Sequence, residues 1–301
     1  MPLVSMSKML ASARKERYAI GYFEAFNMDA MLAVLSAAEQ VKSPVIIGFG
    51  GQFLSSPKRH VEEDVYLYGA VAVEAAKRSK VPTAVLLNES NRVPMIYQGM
   101  QAGFNAVMYQ NPGEDFEQTR RITKDICHDA HSLGIDVESE IGELPMADIA
   151  SGKLTKGANT DPDVALDFVE YTGIDALAVA IGNVHLLEEG KSSLDFELLK
   201  ELDEKSPVPL VLHGGTGISD DEMKKAISLG IAKVNVGTAL KRTYINAIRR
   251  FYLDMDISRV DPHVTIGWGG DDDMLSCGRE AISAKVLEFI ELFGSGNRVV
   301  N

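Results

Sequence analysis

The chain has 301 residues, of which 46% are hydrophobic and 24% are charged, and its formal net charge is −13. This is the composition of a globular protein, and the negative charge argues against the basic face that a nucleic-acid-binding protein needs. Because the sequence contains no apolar run of about 18 residues and no export-signal pattern, we expect a cytoplasmic protein that does not associate with membranes.

Apolar segments of strand length alternate with longer segments of helical periodicity along most of the chain. In chain order, the predicted strands are Tyr18–Phe23, Val45–Phe49, Thr83–Leu87, Ala106–Tyr109, Asp136–Glu140, Ala176–Ile181, Leu210–Leu212 and Lys233–Val236. The helices predicted between and after them are Met28–Val41, Val61–Ser79, Val93–Ala102, Phe116–Leu133, Pro162–Tyr171, Phe196–Glu204, Asp220–Leu229 and Ala239–Leu253. The strands show little polar alternation, as in parallel sheets that are covered on both faces. Such α/β alternation predicts a (β/α)8 TIM barrel, and an open doubly wound sheet is the alternative.

The chain continues beyond the last of these strand–helix units. The segment 256–273 is polar and irregular, and a final helix is predicted over Leu275–Leu292. We interpret this part as a C-terminal helical extension of the barrel, so that residues 1–301 form a single domain.

Two histidines follow predicted strands at the edge where TIM barrels carry their active sites. His185 and His213 come after the sixth and seventh strands, and Glu89 comes after the third. Two imidazoles and one carboxylate are a typical set of protein ligands for a catalytic divalent metal, with zinc favoured over manganese, cobalt or ferrous iron. The alternative is that both histidines are core residues whose rings bond to backbone carbonyl groups.

Two short glycine-containing motifs follow the seventh and eighth strands. They are Gly214-Gly215-Thr216 and Asn235-Val236-Gly237-Thr238. Backbone N–H groups in such turns bind phosphate, and TIM barrels often bind phosphate with these two loops. We therefore predict a phosphate site, although glycine-rich turns are also common in barrels without a ligand.

The longest motifs resemble those of one known family. They are Val137-Glu-Ser-Glu-Ile-Gly142, Thr172-Gly-Ile-Asp-Ala-Leu-Ala-Val-Ala-Ile-Gly182, Leu210-Val-Leu-His-Gly-Gly-Thr-Gly217 and Gly230-Ile-Ala-Lys-Val-Asn-Val-Gly-Thr238. Essentially the whole chain resembles the class II, metal-dependent fructose-bisphosphate and tagatose-bisphosphate aldolases.

This resemblance implies a TIM barrel with a zinc ion that polarises a dihydroxyacetone-phosphate unit and stabilises its enediolate. It implies that His185 and His213 are metal ligands and that Glu140 lies near the metal. It also implies that the loops 214–216 and 235–238 hold a ketose phosphate. The family resemblance further suggests a homodimer or homotetramer that acts on a small sugar phosphate.

The third strand departs from the family pattern. In the family it ends in Asp-His, where the aspartate is the acid/base and the histidine is a metal ligand, whereas this chain has Asn88-Glu89. Glu89 retains a ligand oxygen, but Asn88 cannot accept and return a proton, and such proton transfer typically contributes about 10²–10⁴-fold to the rate. Glu24 stands where the family commonly has a small or amide residue, so we expect Glu24 or Glu140 to handle the proton.

The sequence therefore predicts a metal-dependent carbon–carbon lyase, an aldolase or retro-aldolase, for a ketose-phosphate-like substrate. The changed third strand leaves two alternatives. One is a metal-dependent isomerase or epimerase that acts through an enediolate, and the other is a non-catalytic relative that binds a sugar phosphate.

Overall fold

A computed structural model of the protein describes residues 2–142, 157–184, 193–253 and 255–299. It confirms the closed barrel: parallel strands β1 to β8 pair in chain order, and β8 pairs with β1. The strands are β1 (Ile20–Glu24), β2 (Val45–Gly50), β3 (Thr83–Ser90), β4 (Ala106–Tyr109), β5 (Asp136–Ile141), β6 (Ala176–Val179), β7 (Leu210–Leu212) and β8 (Ile231–Val236). The closed barrel excludes the alternative, an open doubly wound sheet.

Helices surround the barrel and extend it at both ends of the chain. They are α1 (Met6–Glu16), α2 (Met28–Gln40), α3 (Gly51–Leu54), α4 (Val65–Arg78), α5 (Val93–Gln101), α6 (Phe116–Ser132), α7 (Pro162–Thr172), α8 (Phe196–Lys205), α9 (Asp220–Ser228), α10 (Thr238–Leu253), α11 (Pro262–Thr265) and α12 (Met274–Phe293). None of them is both long enough and apolar enough to cross a membrane. The predicted C-terminal helical extension is confirmed, since α12 packs against α2 and α10.

The apolar core has two layers because strand side chains alternate between the two faces of the barrel. Outward-facing residues such as Val137 and Ile141 pack against the helices, whereas inward-facing residues fill the barrel interior. The helix α1 closes the interior with Met6 and Leu10, which are fully buried. Sequence analysis does not predict α1, although its buried residues have helical spacing.

The third strand extends beyond its predicted end at Leu87 to Ser90. The pairing of β3 with β4 shifts register between these two residues. Asn88 and Glu89 therefore belong to the irregular C-terminal end of a strand and not to a flexible loop. Barrels place functional side chains at this edge, and bulged strands commonly redirect them there.

Candidate active site

The C-terminal ends of the strands open into a cavity of about 1060 Å³. The predicted site residues that line it are Glu24, Asn88, Glu89, Glu140, Gly214, Thr216, Asn235, Val236, Gly237 and Thr238. His213 is fully buried and contacts two of the lining carboxylates, and Gly215 is buried in the turn that follows. His185, the other predicted histidine ligand, lies outside the described residues.

The His213 ring lies among three carboxylates. Its Nδ1 is 3.1 Å from Glu140 Oε2 and 3.5 Å from Glu89 Oε1, and its Nε2 is 3.1 Å from Glu138 Oε1. Because an ionised carboxylate only accepts hydrogen bonds, Nε2 donates to Glu138 and Nδ1 faces the cavity-lining carboxylates. Burial lowers the pKa of His213, but the carboxylates, Glu140 foremost, outweigh it and raise that pKa to about 10.

A fully buried ion pair lies behind the histidine. Lys233 Nζ is 2.8 Å from Glu138 Oε2 and 3.0 Å from Glu138 Oε1, and neither side chain has exposed surface. Lys233 also donates to Asn235 Oδ1 and lies 4.9 Å from the centre of the Tyr22 ring. Burial raises the pKa of Glu138, but Lys233 and His213 together hold it below its ordinary value. Glu138 is therefore an anion that fixes the orientation of the imidazole.

The sequence pattern places Glu138 near the end of the fifth strand but predicts no role for it or for Lys233. Each lies two residues before a predicted site residue on the same strand, Glu138 before Glu140 and Lys233 before Asn235. Side chains two residues apart on a strand lie on the same face. A charged residue inside a strand, two positions before a strand-end site residue, is the signal that identifies them.

Glu89 has an unusual backbone conformation for a residue with a side chain. Its φ is 48°, in the left-handed region, which costs a non-glycine residue about 1–3 kcal/mol. Gln52 Nε2 donates to Glu89 Oε2 at 2.6 Å and so fixes the carboxylate near His213. Backbone strain of this kind concentrates at functional sites, which supports a role for Glu89 in binding.

The donor atoms around His213 fit a divalent metal. An imidazole nitrogen and carboxylate oxygens are ligands of zinc and its neighbours. The separations of 3.1 and 3.5 Å are close to the about 3.0–3.4 Å between two ligands that share one ion at about 2.1 Å. A histidine that binds a metal through one ring nitrogen commonly donates its other N–H to a carboxylate, which fixes the ring. Glu138 is placed to accept the Nε2–H of His213 in this way. Within the described ranges, no group of three or more His, Cys, Asp and Glu side chains is already arranged around a metal position, so the fit rests on these separations and on the chemistry of the donor atoms.

Asn88 lies in the cavity wall, at the position where the resemblance to the aldolases implies an acid/base residue. The side chain is buried, and its Oδ1 has no hydrogen-bond partner in the part of the chain that the structure describes. In that part of the chain, Tyr22 Oη and Asn235 Nδ2 are likewise buried without a partner, and both residues line the same cavity. Buried polar groups without partners are costly, so these three are placed to pair with a polar ligand. The Asn88 amide can orient a substrate hydroxyl group but cannot take its proton.

Glu24 fits between two glycines. A Cβ atom built on Gly237 would lie 2.6 Å from Glu24 Oε2, and one built on Gly50 would lie 3.2 Å from Glu24 Oε1. Lys241 Nζ is 2.9 Å from Glu24 Oε1. Burial raises the pKa of Glu24 and outweighs the opposing effect of Lys241, and Glu89 raises it further. A cavity-lining carboxyl group with a raised pKa is suited to proton transfer closer to neutral pH.

The two predicted phosphate loops lie side by side. Gly214 has a φ of 70°, which favours glycine, and Gly215–Gly217 form a short 3₁₀ turn. A Cβ atom built on Gly215 would lie 3.2 Å from the carbonyl oxygen of Asn235, so the two loops approach closely. The helix α10 begins at Thr238, and its N-terminus adds a positive dipole end beside the cavity. The arrangement is suited to an anion such as a phosphate group.

Known proteins are similar to this chain in sequence. Residues 4–298 match the protein family described as "Fructose-bisphosphate aldolase class-II". The chain is 36% identical over 286 residues to the "Uncharacterized protein YdjI" of Escherichia coli strain K12, with 95% of each chain covered. It is 34% identical over 304 residues to the "Probable fructose-bisphosphate aldolase" of Bacillus subtilis strain 168, with 99% of this chain and 100% of that chain covered.

A solved structure has a similar three-dimensional fold. The crystal structure of the YdjI aldolase from Escherichia coli K12 superposes with a TM-score of 0.82 and 33% sequence identity, covering 99% of this chain and 100% of that chain. The similarity therefore extends over the barrel, the site and the C-terminal helices. From the family match, the identity to its relatives and this shared fold, we conclude that the chain belongs to the class II fructose-bisphosphate aldolase family, a family of lyases that generally depend on a divalent metal.

Proposed function

We propose that this protein is a metal-dependent carbon–carbon lyase that cleaves a ketose phosphate, or forms it in the reverse direction, with zinc as the favoured metal. The observation that carries the proposal is the position of His213 Nδ1, which lies 3.1 Å from Glu140 and 3.5 Å from Glu89 at the cavity wall. The two glycine-containing loops beside it supply a place for the phosphate group.

In this proposal, Glu89, Glu140 and His213 would hold the metal together with His185, and His213 would give up the Nδ1 proton that the carboxylates otherwise stabilise. The metal supplies Lewis-acid polarisation of the substrate carbonyl group when it is bound. Glu138 accepts the Nε2–H of His213 and Lys233 neutralises Glu138, so the imidazole keeps one orientation.

We assign the proton transfer to Glu24. Asn88 has no ionisable group, and Glu140 is held by His213 and by Gln110 Nε2, which donates to its Oε2 at 2.8 Å. Glu24 takes the proton from the hydroxyl group on the carbon that becomes the aldehyde. The bond from that carbon to its neighbour breaks, and its electron pair passes to the ketose fragment as an enediolate. A proton returned from Glu24 to the carbon of this fragment completes the cleavage.

Metal analysis with a matched variant tests the proposal. We expect about one bound divalent ion per chain after purification with zinc, and we expect Glu89→Ala to lose most of the metal and the lyase activity. Glu117→Ala, which removes an exposed carboxylate on α6, is the control. The proposal fails if the purified protein contains no divalent ion and Glu89→Ala leaves the activity unchanged.

A second candidate function rests on Asn88. Since an amide has replaced the family's acid/base, isomerisation or epimerisation through an enediolate is the competing reaction. Replacing Asn88 by Asp separates the two. If Asn88→Asp creates cleavage of fructose 1,6-bisphosphate that the wild type lacks for every ketose phosphate tried, the native reaction is not cleavage.

A further inference from the structure

The cavity has a side arm on the outer face of the barrel. Glu138 and Glu140 face His213 inside the barrel, so Ser139 between them faces outward, as Val137 and Ile141 do in the outer core. The arm lies between the outer faces of β4 and β5, the first turn of α6 and the middle of α7. The residues that form it are Tyr109, Glu114, Phe116, Thr119, Ser139 and Phe168.

The polar centre of the arm is the Glu114 carboxylate. Tyr109 Oη donates to it at 3.0 Å, and Thr119 Oγ1 donates at 2.9 Å. The amide groups of Asn111 and Gln118 donate to Glu114 Oε1 at 3.2 and 3.3 Å. These four donors are neutral, so they fix the position of the carboxylate without cancelling its negative charge.

The basic side chains in the described lining of the cavity lie outside the arm. Among the described residues that line the cavity, Lys241 and Arg242 are the basic ones, and both belong to α10 beside the phosphate loops. Arg120, which follows Thr119 in the chain, forms ion pairs with Glu117 and Asp167. The described lining is therefore cationic at the phosphate loops and anionic in the arm.

The arm also offers groups that suit a carbohydrate chain. Ser139 Oγ is buried, and within the described residues it has no hydrogen-bond partner, so it is available to a ligand. The rings of Phe116 and Phe168 have centroids 5.9 Å apart and form an apolar wall. Such a wall packs against the C–H groups of a sugar, while hydroxyl groups of the sugar can bond to the polar side.

A polar path connects the arm to the reaction centre. His213 contacts Glu140, and Gln110 donates to Glu140 at the end of β4. Asn111 follows Gln110 in the chain and donates to Glu114. A substrate that has its carbonyl group near His213 can therefore extend along this path into the arm.

We propose that the arm binds the part of the substrate that leaves as the aldehyde, and that it selects an uncharged hydroxylated chain over one that ends in a second phosphate. The negative charge of Glu114 repels an anion in the same place, and Ser139 Oγ can bond to a hydroxyl group of the chain. The proposal deepens the proposed function and rests on it, because it takes the phosphate loops to hold the other end of the substrate. The native substrate is then a ketose monophosphate and not a ketose bisphosphate.

Binding of two reduced analogues tests this selectivity without turnover. Mannitol 1-phosphate and mannitol 1,6-bisphosphate lack the carbonyl group and cannot be cleaved, so their affinities for the zinc-loaded protein are measurable by isothermal titration calorimetry. We expect the monophosphate to bind at least about tenfold more tightly, because the second phosphate of the bisphosphate would lie beside the negative charge of Glu114. Glu114→Gln should reduce this preference and Glu114→Lys should reverse it. Glu117→Gln, on the exposed side of α6, should leave it unchanged.

The results separate this proposal from the lyase proposal. Equal or tighter binding of the bisphosphate by the wild type overturns the selectivity of the arm, and so does a preference that Glu114→Gln does not alter. If the monophosphate preference holds but fructose 1-phosphate is not cleaved, the lyase proposal fails and the binding arm stands. If neither analogue binds, the arm proposal fails, and cleavage of fructose 1-phosphate decides the lyase proposal by itself. Glu114→Gln and the wild type are sufficient for this decision if Glu114→Lys does not fold.

Discussion

Replacing Lys233 by Met tests how the buried ion pair supports the site. The change removes the only ammonium group that contacts Glu138 in the described part of the chain, and it leaves that carboxylate in a fully buried position. Breaking a buried ion pair from one side typically costs about 3–5 kcal/mol. With an unfolding entropy of about 2.1 cal/mol/K per residue, this corresponds to a fall in Tm of about 5–8 °C for a chain of this length.

Thermal unfolding of a double-mutant set measures this effect. Glu138→Gln alone leaves the ammonium group of Lys233 buried without its anion, so both single variants should be destabilised. The double variant should be more stable than the sum of the two losses, because both charges are then gone. Lys205→Met removes an exposed ion-pairing lysine and should leave Tm nearly unchanged. Additive losses in the double variant, or a Tm of Lys233→Met equal to that of the wild type, would refute this reasoning.

The same variant has an expected pH dependence. In the wild type the pKa of Glu138 is lowered, so its stabilisation is present above the unfolded-state pKa and is lost as the pH falls through the lowered value. In Lys233→Met the burial of Glu138 raises its pKa, so the variant gains stability as the pH falls and the carboxylate is protonated. The difference in Tm between the two proteins should therefore shrink between neutral and acidic pH, as calorimetry at several pH values can show.

Four further substitutions test other parts of the molecule. Glu24→Gln should lower kcat by about 10²–10⁴-fold without loss of bound metal, as steady-state kinetics and metal analysis can show. If Glu24 acts as a base, activity rises with pH through its raised pKa, and Lys241→Met should move this acidic limb to higher pH because Lys241 lowers that pKa; an unmoved limb contradicts the assignment. Gly237→Ala should lower kcat/KM by about tenfold or more, because the new Cβ would lie 2.6 Å from Glu24 Oε2; kinetics equal to the wild type would show that Glu24 has room to move. Asp273→Asn should lower Tm at neutral pH by about 1–3 °C, because the amide has one acceptor oxygen where both carboxylate oxygens accept from backbone N–H groups. Backbone N–H groups hold its pKa below the ordinary value, so this stabilisation is lost as the pH falls through that value, and a difference in Tm that persists in strong acid would argue against it.

The barrel is predictable because its signals are local. Continuous apolar strands such as Val45–Gly50 are buried on both faces, and amphipathic segments between them can cover such a sheet. The edge rule for barrels then places Asn88, Glu89 and Glu24 in one cavity without any knowledge of distances.

The ion pairs of the site cannot be predicted from the sequence because they form only when the barrel closes. Glu138 and Lys233 lie on β5 and β8, which are not neighbours, so only the closed interior brings them together. The pair of Glu24 and Lys241 forms for the same reason, since β1 meets the end of β8 where the barrel closes. The left-handed backbone of Glu89 carries no sequence signal, because glycine is the residue expected there.

The products formed from fructose 1-phosphate test the central claim most directly. We expect carbon NMR of the reaction with the purified, zinc-loaded protein to show two three-carbon fragments, and we expect cleavage to stop with EDTA and to return with added zinc. A single rearranged six-carbon product, or cleavage that EDTA does not affect, would contradict the assignment of a metal-dependent lyase.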